Sequence, residues 1–177
     1  MRASVASILA ITALVAAGCG QSASPTAPTS SLSTAASGTS TLAAQDKQAH
    51  PVPFAGNLSG TVTLTPGVPP LATVFIAATG QASHLGLFSV AIPHEVSFAT
   101  ATGEGTYTFT AANGDMLTAH FTGVADTSTA VFSIDEEANI TGGTGRFAGA
   151  TGSFKVHRLY DTVAGTTTGS FEGTISM

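Results

Sequence analysis

From Phe54 to Ser176 apolar residues alternate with threonine, serine and glycine at a period of two, and turn-forming residues interrupt the alternation at close intervals. Successive side chains of a strand point to opposite faces, so each such run has one face to bury and one to leave in water. No stretch carries a convincing helical period. Many short strands at this spacing specify a barrel or a sandwich.

The runs can be followed one by one. Phe54, Leu58, Val62 and Leu64 share a parity, and Thr65-Pro66-Gly67 ends the first strand. Residues 71–79 read as the second and 85–92 as a third, bounded by Pro93. Residues 94–100, 106–111, 116–125, 130–140, 153–160 and 167–176 follow. Asn113-Gly114 is a hairpin signal, because both residue types tolerate positive φ. The expected total is eight or nine strands.

Parity also predicts the buried face: Val96 and Phe98, then Tyr107 and Phe109, then Leu117, Ala119 and Phe121, then Phe132 and Ile134. One apolar face per strand, with Thr and Ser opposite, suits a single antiparallel barrel with a filled interior. Ser59-Gly60-Thr61-Val62 and Glu172-Gly173-Thr174-Ile175 are similar patterns at the two ends, compatible with first and last strands pairing to close it.

Composition narrows the function. Charged residues are 8% of the chain, apolar ones 43%, and the formal net charge is -5. Lys47, Arg146, Lys155 and Arg158 are the cations beyond Arg2, so there is no basic patch to neutralise phosphates and nucleic acid is disfavoured. Residues 50–177 are enough for a core that needs neither disulfide nor metal.

The N-terminus carries a different signal. Met1-Arg2, an apolar run over residues 5–17 and small residues before a break make a secretory signal, the run being too short to span a membrane comfortably. Ala16-Ala17-Gly18-Cys19 resembles the lipobox of bacterial lipoproteins, departing from it at Ala16, where Leu is usual. The resemblance implies cleavage before Cys19 and acylation of that cysteine. A lone thiol in an exported chain also has no disulfide partner. Several acyl chains, at about 0.8 kcal/mol per methylene, hold a protein where one does not. Residues 1–18 thus read as signal peptide and 19–49 as a tether, since Ser, Thr, Ala and Pro bury too little surface to offset ordering entropy. The same composition occurs in glycosylated stalks. Gly20 after Cys19, in place of the Asp that commonly retains lipoproteins at the inner membrane, points to the outer membrane.

The most specific local motif is Ile140-Thr141-Gly142-Gly143-Thr144-Gly145-Arg146-Phe147-Ala148-Gly149-Ala150-Thr151-Gly152. Its glycines allow a sharp corner between strands, with Phe147 buried in the turn. A dinucleotide loop fits Gly143 to Ala148 by pattern, but that chemistry needs a helix immediately after, where a strand is expected. The motif resembles the Gly-Gly-(Thr/Ser)-Gly-x-Phe-x-x-Ala-x-Gly signature of the allene oxide cyclase and dirigent proteins, matching at Gly142, Gly143, Thr144, Gly145, Phe147, Ala150 and Gly152. The resemblance implies an eight-stranded barrel over about residues 52–177, often trimeric, with a ligand-holding interior. It carries over no catalytic residue, because the matched positions are corner glycines and an aromatic plug. A trimer would need an apolar outer stripe, for which Phe75 and Val131 are the candidates.

Few polar residues are candidates for chemistry. His84 lies in a Gly-bounded break, a place for a barrel-mouth group, but reads more simply as a turn histidine. His94 shares parity with Val96 and Phe98 and is expected to point inward at the rim, with Glu95 outward. His120 and His157 are expected to face solvent, and no set of ligands at metal-binding spacing shares a face. No cofactor loop is expected. On an unbroken strand Glu136 enters the barrel, where it would be a candidate acid or base. The simpler reading of Asp135-Glu136-Glu137 is a bulge or turn that returns Glu136 to water. Arg158 and Tyr160 share parity with Phe154 and Val156, and with Tyr107 they are candidate ligand contacts; the first two serve equally as a rim salt bridge and a packing aromatic.

Two function classes remain. One is a noncatalytic envelope lipoprotein whose barrel binds a small apolar molecule or a protein, the favoured reading because no nucleophile, metal set or cofactor loop is visible. The other is a cyclase or isomerase using Glu136, His94 or His84. An enzyme predicts an open cavity with a carboxylate or imidazole projecting into it, and a structural module predicts an interior filled by Phe, Leu and Val.

Overall fold

Each alternating run pairs with the run that follows it. The computed structural model describes residues 50–177 and contains β1 (Val52–Pro66), β2 (Leu71–Ala82), β3 (Gly86–Ser97), β4 (Thr102–Ala111), β5 (Met116–Asp126), β6 (Val131–Gly143), β7 (Thr151–Asp161) and β8 (Thr166–Ser176). All neighbours are antiparallel, and β1 pairs with β8 from Val52 opposite Ile175 to Thr61 opposite Thr166. The result is a closed eight-stranded barrel in sequence order. Closure leaves no sheet edge exposed. The expected signal peptide and tether, residues 1–49 with Cys19, lie outside the described residues.

The ninth expected strand is absorbed into β3, which runs through Pro93 without ending. Pro93 points outward, and the β3–β4 ladder skips it, pairing Ala91 with Thr108 and then His94 with Gly105. Its missing N–H therefore costs the sheet little.

Inward parity fills the lower half of the barrel with aromatic rings. Phe109 lies within 5.2–6.4 Å of the rings of Phe54, Phe88, Tyr107, Phe154 and Phe171. The Gly-rich corner closes that end. Gly142, Gly145, Gly149 and Gly152 all take positive φ, a short 3-10 turn covers Gly145–Phe147, and the Phe147 side chain is fully buried. Gly143 and Phe147 come close enough that a Cβ on the glycine would lie 2.8 Å from the Phe147 Cβ. Among the described residues, every large buried side chain lies between Phe54 and Ile175. Residues 50–177 thus hold a continuous core within a closed sheet, which is what independent folding requires.

The strand ends at the opposite pole form the open mouth, where the packing thins. Val62, Val96, Phe132 and Ile134 are half-buried there, and Leu64 is exposed. Phe98, expected on the buried face, instead stands exposed in the β3–β4 turn, because β3 has ended at Ser97 and no neighbouring strand covers it. Phe75 and Val131 are exposed on the outer wall as expected. They sit on β2 and β6, which are opposite one another in an eight-stranded ring, so they do not make one apolar stripe.

Candidate ligand-binding site at the barrel mouth

Between the aromatic base and the mouth lies a layer of polar side chains. The β6 strand runs unbroken through Asp135-Glu136-Glu137, so Glu136 points inward and is 3% exposed. The bulge or turn expected there is absent; the irregularity in this ladder falls instead between Thr118 and Ala119. Arg158 on β7, 2% exposed, meets Glu136 side-on. Its Nε donates to Glu136 Oε2 at 3.1 Å, and its Nη2 donates to Oε1. Tyr107 Oη also donates to Oε2. Arg158 Nη1 donates to Thr167 Oγ1 at 3.3 Å, and that hydroxyl donates to the Leu159 carbonyl at 2.9 Å. A two-pronged, hydrogen-bonded pair is the geometry in which buried opposite charges stabilise one another best.

The titration of these groups follows from burial and neighbours. Burial opposes the Arg158 charge, but the Glu136 carboxylate beside it and the Tyr107 hydroxyl together more than offset this, and the guanidinium is held protonated more firmly than usual. Burial, then the Glu136 charge, pushes the Tyr107 phenol well above its ordinary range. Glu136 accepts three hydrogen bonds and is tied into this network. Both of its oxygens are engaged by neighbouring side chains, which suits a structural role better than a catalytic one.

His94 sits above the pair on β3, half-buried, its ring 5.6 Å from that of Phe121. Its Nδ1 lies 3.0 Å from the Ile92 carbonyl oxygen. A carbonyl only accepts, so Nδ1 carries the proton and Nε2 of the neutral ring is an acceptor. Burial lowers the His94 pKa first of all; the Ile92 contact opposes this, and the Arg158 charge reinforces it. The linkage has a definite sign. Below the unfolded pKa of about 6.5 the unfolded chain takes up a proton that the folded ring resists, so this part of the stability is full above that pH and is lost as pH falls towards the folded value. Urea midpoints of residues 50–177 at about pH 7.5 and about pH 5 are expected to show a smaller acid loss in His94→Leu than in the wild type.

Three of the inward polar side chains have a glycine opposite them in the register: Gly105 for His94, Gly123 for Glu136 and Gly169 for Arg158. A Cβ at these glycines would lie 2.4 Å from His94 Cβ, 2.6 Å from Glu136 Cγ and 2.7 Å from Arg158 Cγ. The missing side chains are the room into which the charged ones fold.

Above this floor is a cavity of about 90 Å³, walled by Val62, Val96, Ala125, Phe132, Ile134 and Tyr160, with His94, Glu136 and Arg158 at its base. The Tyr160 ring packs against Phe132 at 5.9 Å. A larger hollow of about 750 Å³ lies over the outer wall, lined by Glu95, Glu104, Glu137 and Lys155. Those side chains are exposed to bulk water and enclose nothing, so the mouth is the better site.

Of the sequence candidates, His94, Glu136, Arg158 and Tyr160 come together here. Tyr107 does not line the cavity: it is fully buried, packed between Phe109 and Phe121 beneath the floor. His84 is not a mouth residue either. It is exposed at φ +63 in the β2–β3 turn, at the closed pole. His120 and His157 face outward, the latter 2.9 Å from Asp135. Sequence reasoning missed Thr167, and it missed the Glu136–Arg158–Tyr107 network. The only signal in the sequence was the recurrence of glycine on neighbouring strands.

No protein-family model matches the chain, and no curated protein sequence matches it. Among solved structures it is similar to a pterocarpan synthase dirigent protein, with 14% sequence identity, a TM-score of 0.53, and coverage of 72% of this chain and 90% of that one. At that identity the likeness establishes the fold, a dirigent-like barrel, and no activity.

Proposed function

We propose that this chain is an exported, lipid-anchored envelope protein whose barrel binds one end of a small, mainly apolar ligand at its mouth. The carrying observation is the change of filling along the axis. Phenylalanine rings occupy the base, yet above the Glu136–Arg158 pair the walls stay apolar and the space stays open. A buried ion pair adds little to stability compared with apolar side chains of the same volume. Its place as the floor of an open apolar cup is that of a polar layer which sets the depth and orientation of a guest.

The cup is small. A whole drug-sized molecule needs about 300–1,000 Å³, whereas about 90 Å³ takes a ring or a branched chain end. His94 Nε2 offers an acceptor to a hydroxyl on that end. Binding is favoured over cyclase or isomerase chemistry because Glu136, the one carboxylate at the cavity, is already held by Arg158 and Tyr107.

Two experiments test the two parts. Ala125→Trp places an indole in the mouth without touching the base, and isothermal titration of residues 50–177 with cyclohexanol is expected to lose at least about tenfold in affinity. Unchanged affinity would place the ligand elsewhere. For the anchor, the mass of the full chain extracted from membranes is expected to fit cleavage before Cys19 plus acyl chains, and Cys19→Ala is expected to release it from the outer-membrane fraction. An unmodified cysteine would remove the anchor and leave the mouth reading intact.

A further inference from the structure

The four loops at the mouth are fastened into a ring. Phe98 N donates to the Pro70 carbonyl at 2.9 Å, Ala125 N to Ala101 at 2.8 Å, Thr162 N to Ala130 at 3.1 Å, and Val62 N to Gly165 at 2.9 Å. Each bond joins a loop to its neighbour or to the strand beside it, so the collar is pre-shaped.

Apolar side chains crown this collar. Val163 is 88% exposed, Val68 82% and Phe98 60%, and Leu71, Val124 and Val131 are exposed at the strand ends just below. The mouth loops and strand ends carry no cation among the described residues. The acids at the last strand residues are engaged locally: Asp126 accepts from Ser128 N, and Asp161 accepts from Val163 N and Ala164 N; Glu95 and Glu104 are exposed on the outer wall two residues below. The closed pole differs, with Ser83, His84, Asn113, Asp115 and Arg146 in its turns.

We infer that the collar docks on the surface of a zwitterionic phospholipid bilayer, from which the mouth takes its ligand. This rests on the ligand-binding reading. Val68, Val163 and Phe98 are placed to enter the boundary between headgroups and acyl chains, where apolar area sets the strength of binding. Backbone groups already paired around the collar enter that region at low cost. With acids and no cation, the collar gains nothing from anionic lipid. A second copy facing it mouth to mouth would bring together two collars that carry acids and no cation, with no opposite charge to pair them. The cavity holds only the end of a guest, and a lipid surface would hold the rest.

An anchor at the other pole is no obstacle. The chain enters the barrel at Val52 beside Ile175, at the closed end. About 30 residues separate Cys19 from Val52, a contour of about 100 Å at about 3.3 Å per residue, against about 40 Å for a twelve-residue strand.

Flotation of residues 50–177 with phosphatidylcholine vesicles at about 1 mM lipid tests the inference. The wild type is expected to float with the vesicles, and the double variant V68D/V163D at least about fivefold less, with its thermal unfolding unchanged. Leu87→Asp, at a site 67% exposed near the closed pole, is expected to float like the wild type. Three results would overturn the inference: no flotation, flotation indifferent to V68D/V163D, or flotation that needs phosphatidylserine. A concentration-dependent dimer abolished by V68D/V163D would assign the collar to a second copy and overturn it too. The two readings fail separately: Ala125→Trp is expected to lose cyclohexanol and still float, V68D/V163D to keep cyclohexanol and not float.

Discussion

Arg158→Met is expected to destabilise residues 50–177 by about 3–5 kcal/mol, the loss that follows when one partner of a buried pair is removed and the other is left charged. The reason is geometric. Glu136 is 3% exposed and sits within a wall of apolar side chains, and Tyr107 alone would remain to hydrogen-bond it. The methionine side chain follows the course of the arginine stem, so lost packing is a small part of the effect. The double variant Glu136→Leu/Arg158→Met is expected to recover most of the loss, because an apolar pair of similar volume matches or exceeds a buried ion pair in stability. Urea unfolding of the wild type, the two single variants and the double variant gives the coupling energy. Additive losses would show that the pair does not act as a unit.

Phe109→Ala is expected to cost a further comparable amount, about 3–5 kcal/mol, for a different reason. Phe109 is fully buried and touches five other aromatic rings at the centre of the base. Strands pinned on both sides cannot move in to fill the space, so the transfer term and the cavity term both apply. The same truncation at the rim, Phe98→Ala, is expected to cost little, since Phe98 is 60% exposed. Chemical denaturation of both variants checks the contrast between a filled base and an open mouth. Equal losses would contradict it.

Much of the fold was legible because a period of two leaves little freedom. The barrel class, the inward parity of Tyr107, Phe109, Leu117 and Phe121, the pairing of first and last strands and the burial of Phe147 in a Gly-rich corner all follow from alternation and turn chemistry. Boundaries were harder where a local rule met a tertiary exception. Pro93 reads as a strand end, yet β3 continues, because the proline falls where the ladder can do without its N–H. Phe98 keeps the parity of a buried residue after the strand that gave parity its meaning has stopped.

The site was legible in its members and not in its bonds. Parity placed His94, Arg158 and Tyr160 on the inner face, and placed Glu136 there if β6 stayed regular. Three acids in a row argued for a bulge, since an unpaired carboxylate inside a barrel is costly. What reverses that argument is a partner on the next strand, and pairing of β6 with β7 in this register is a property of the whole barrel. Gly123 and Gly169 were visible as residues; that they stand opposite Glu136 and Arg158 was not.

The most direct test of the mouth as a binding site is an amide chemical-shift titration of residues 50–177 with cyclohexanol, whose ring suits a cavity of about 90 Å³ and whose hydroxyl suits His94 Nε2. Shifts are expected to saturate at Val62, Val96, Ala125, Ile134 and Tyr160, with the amides of Ser59, Thr79 and Ser89 on the outer wall unmoved. Shifts confined to the outer wall, or none at all up to saturating alcohol, would contradict binding at the mouth.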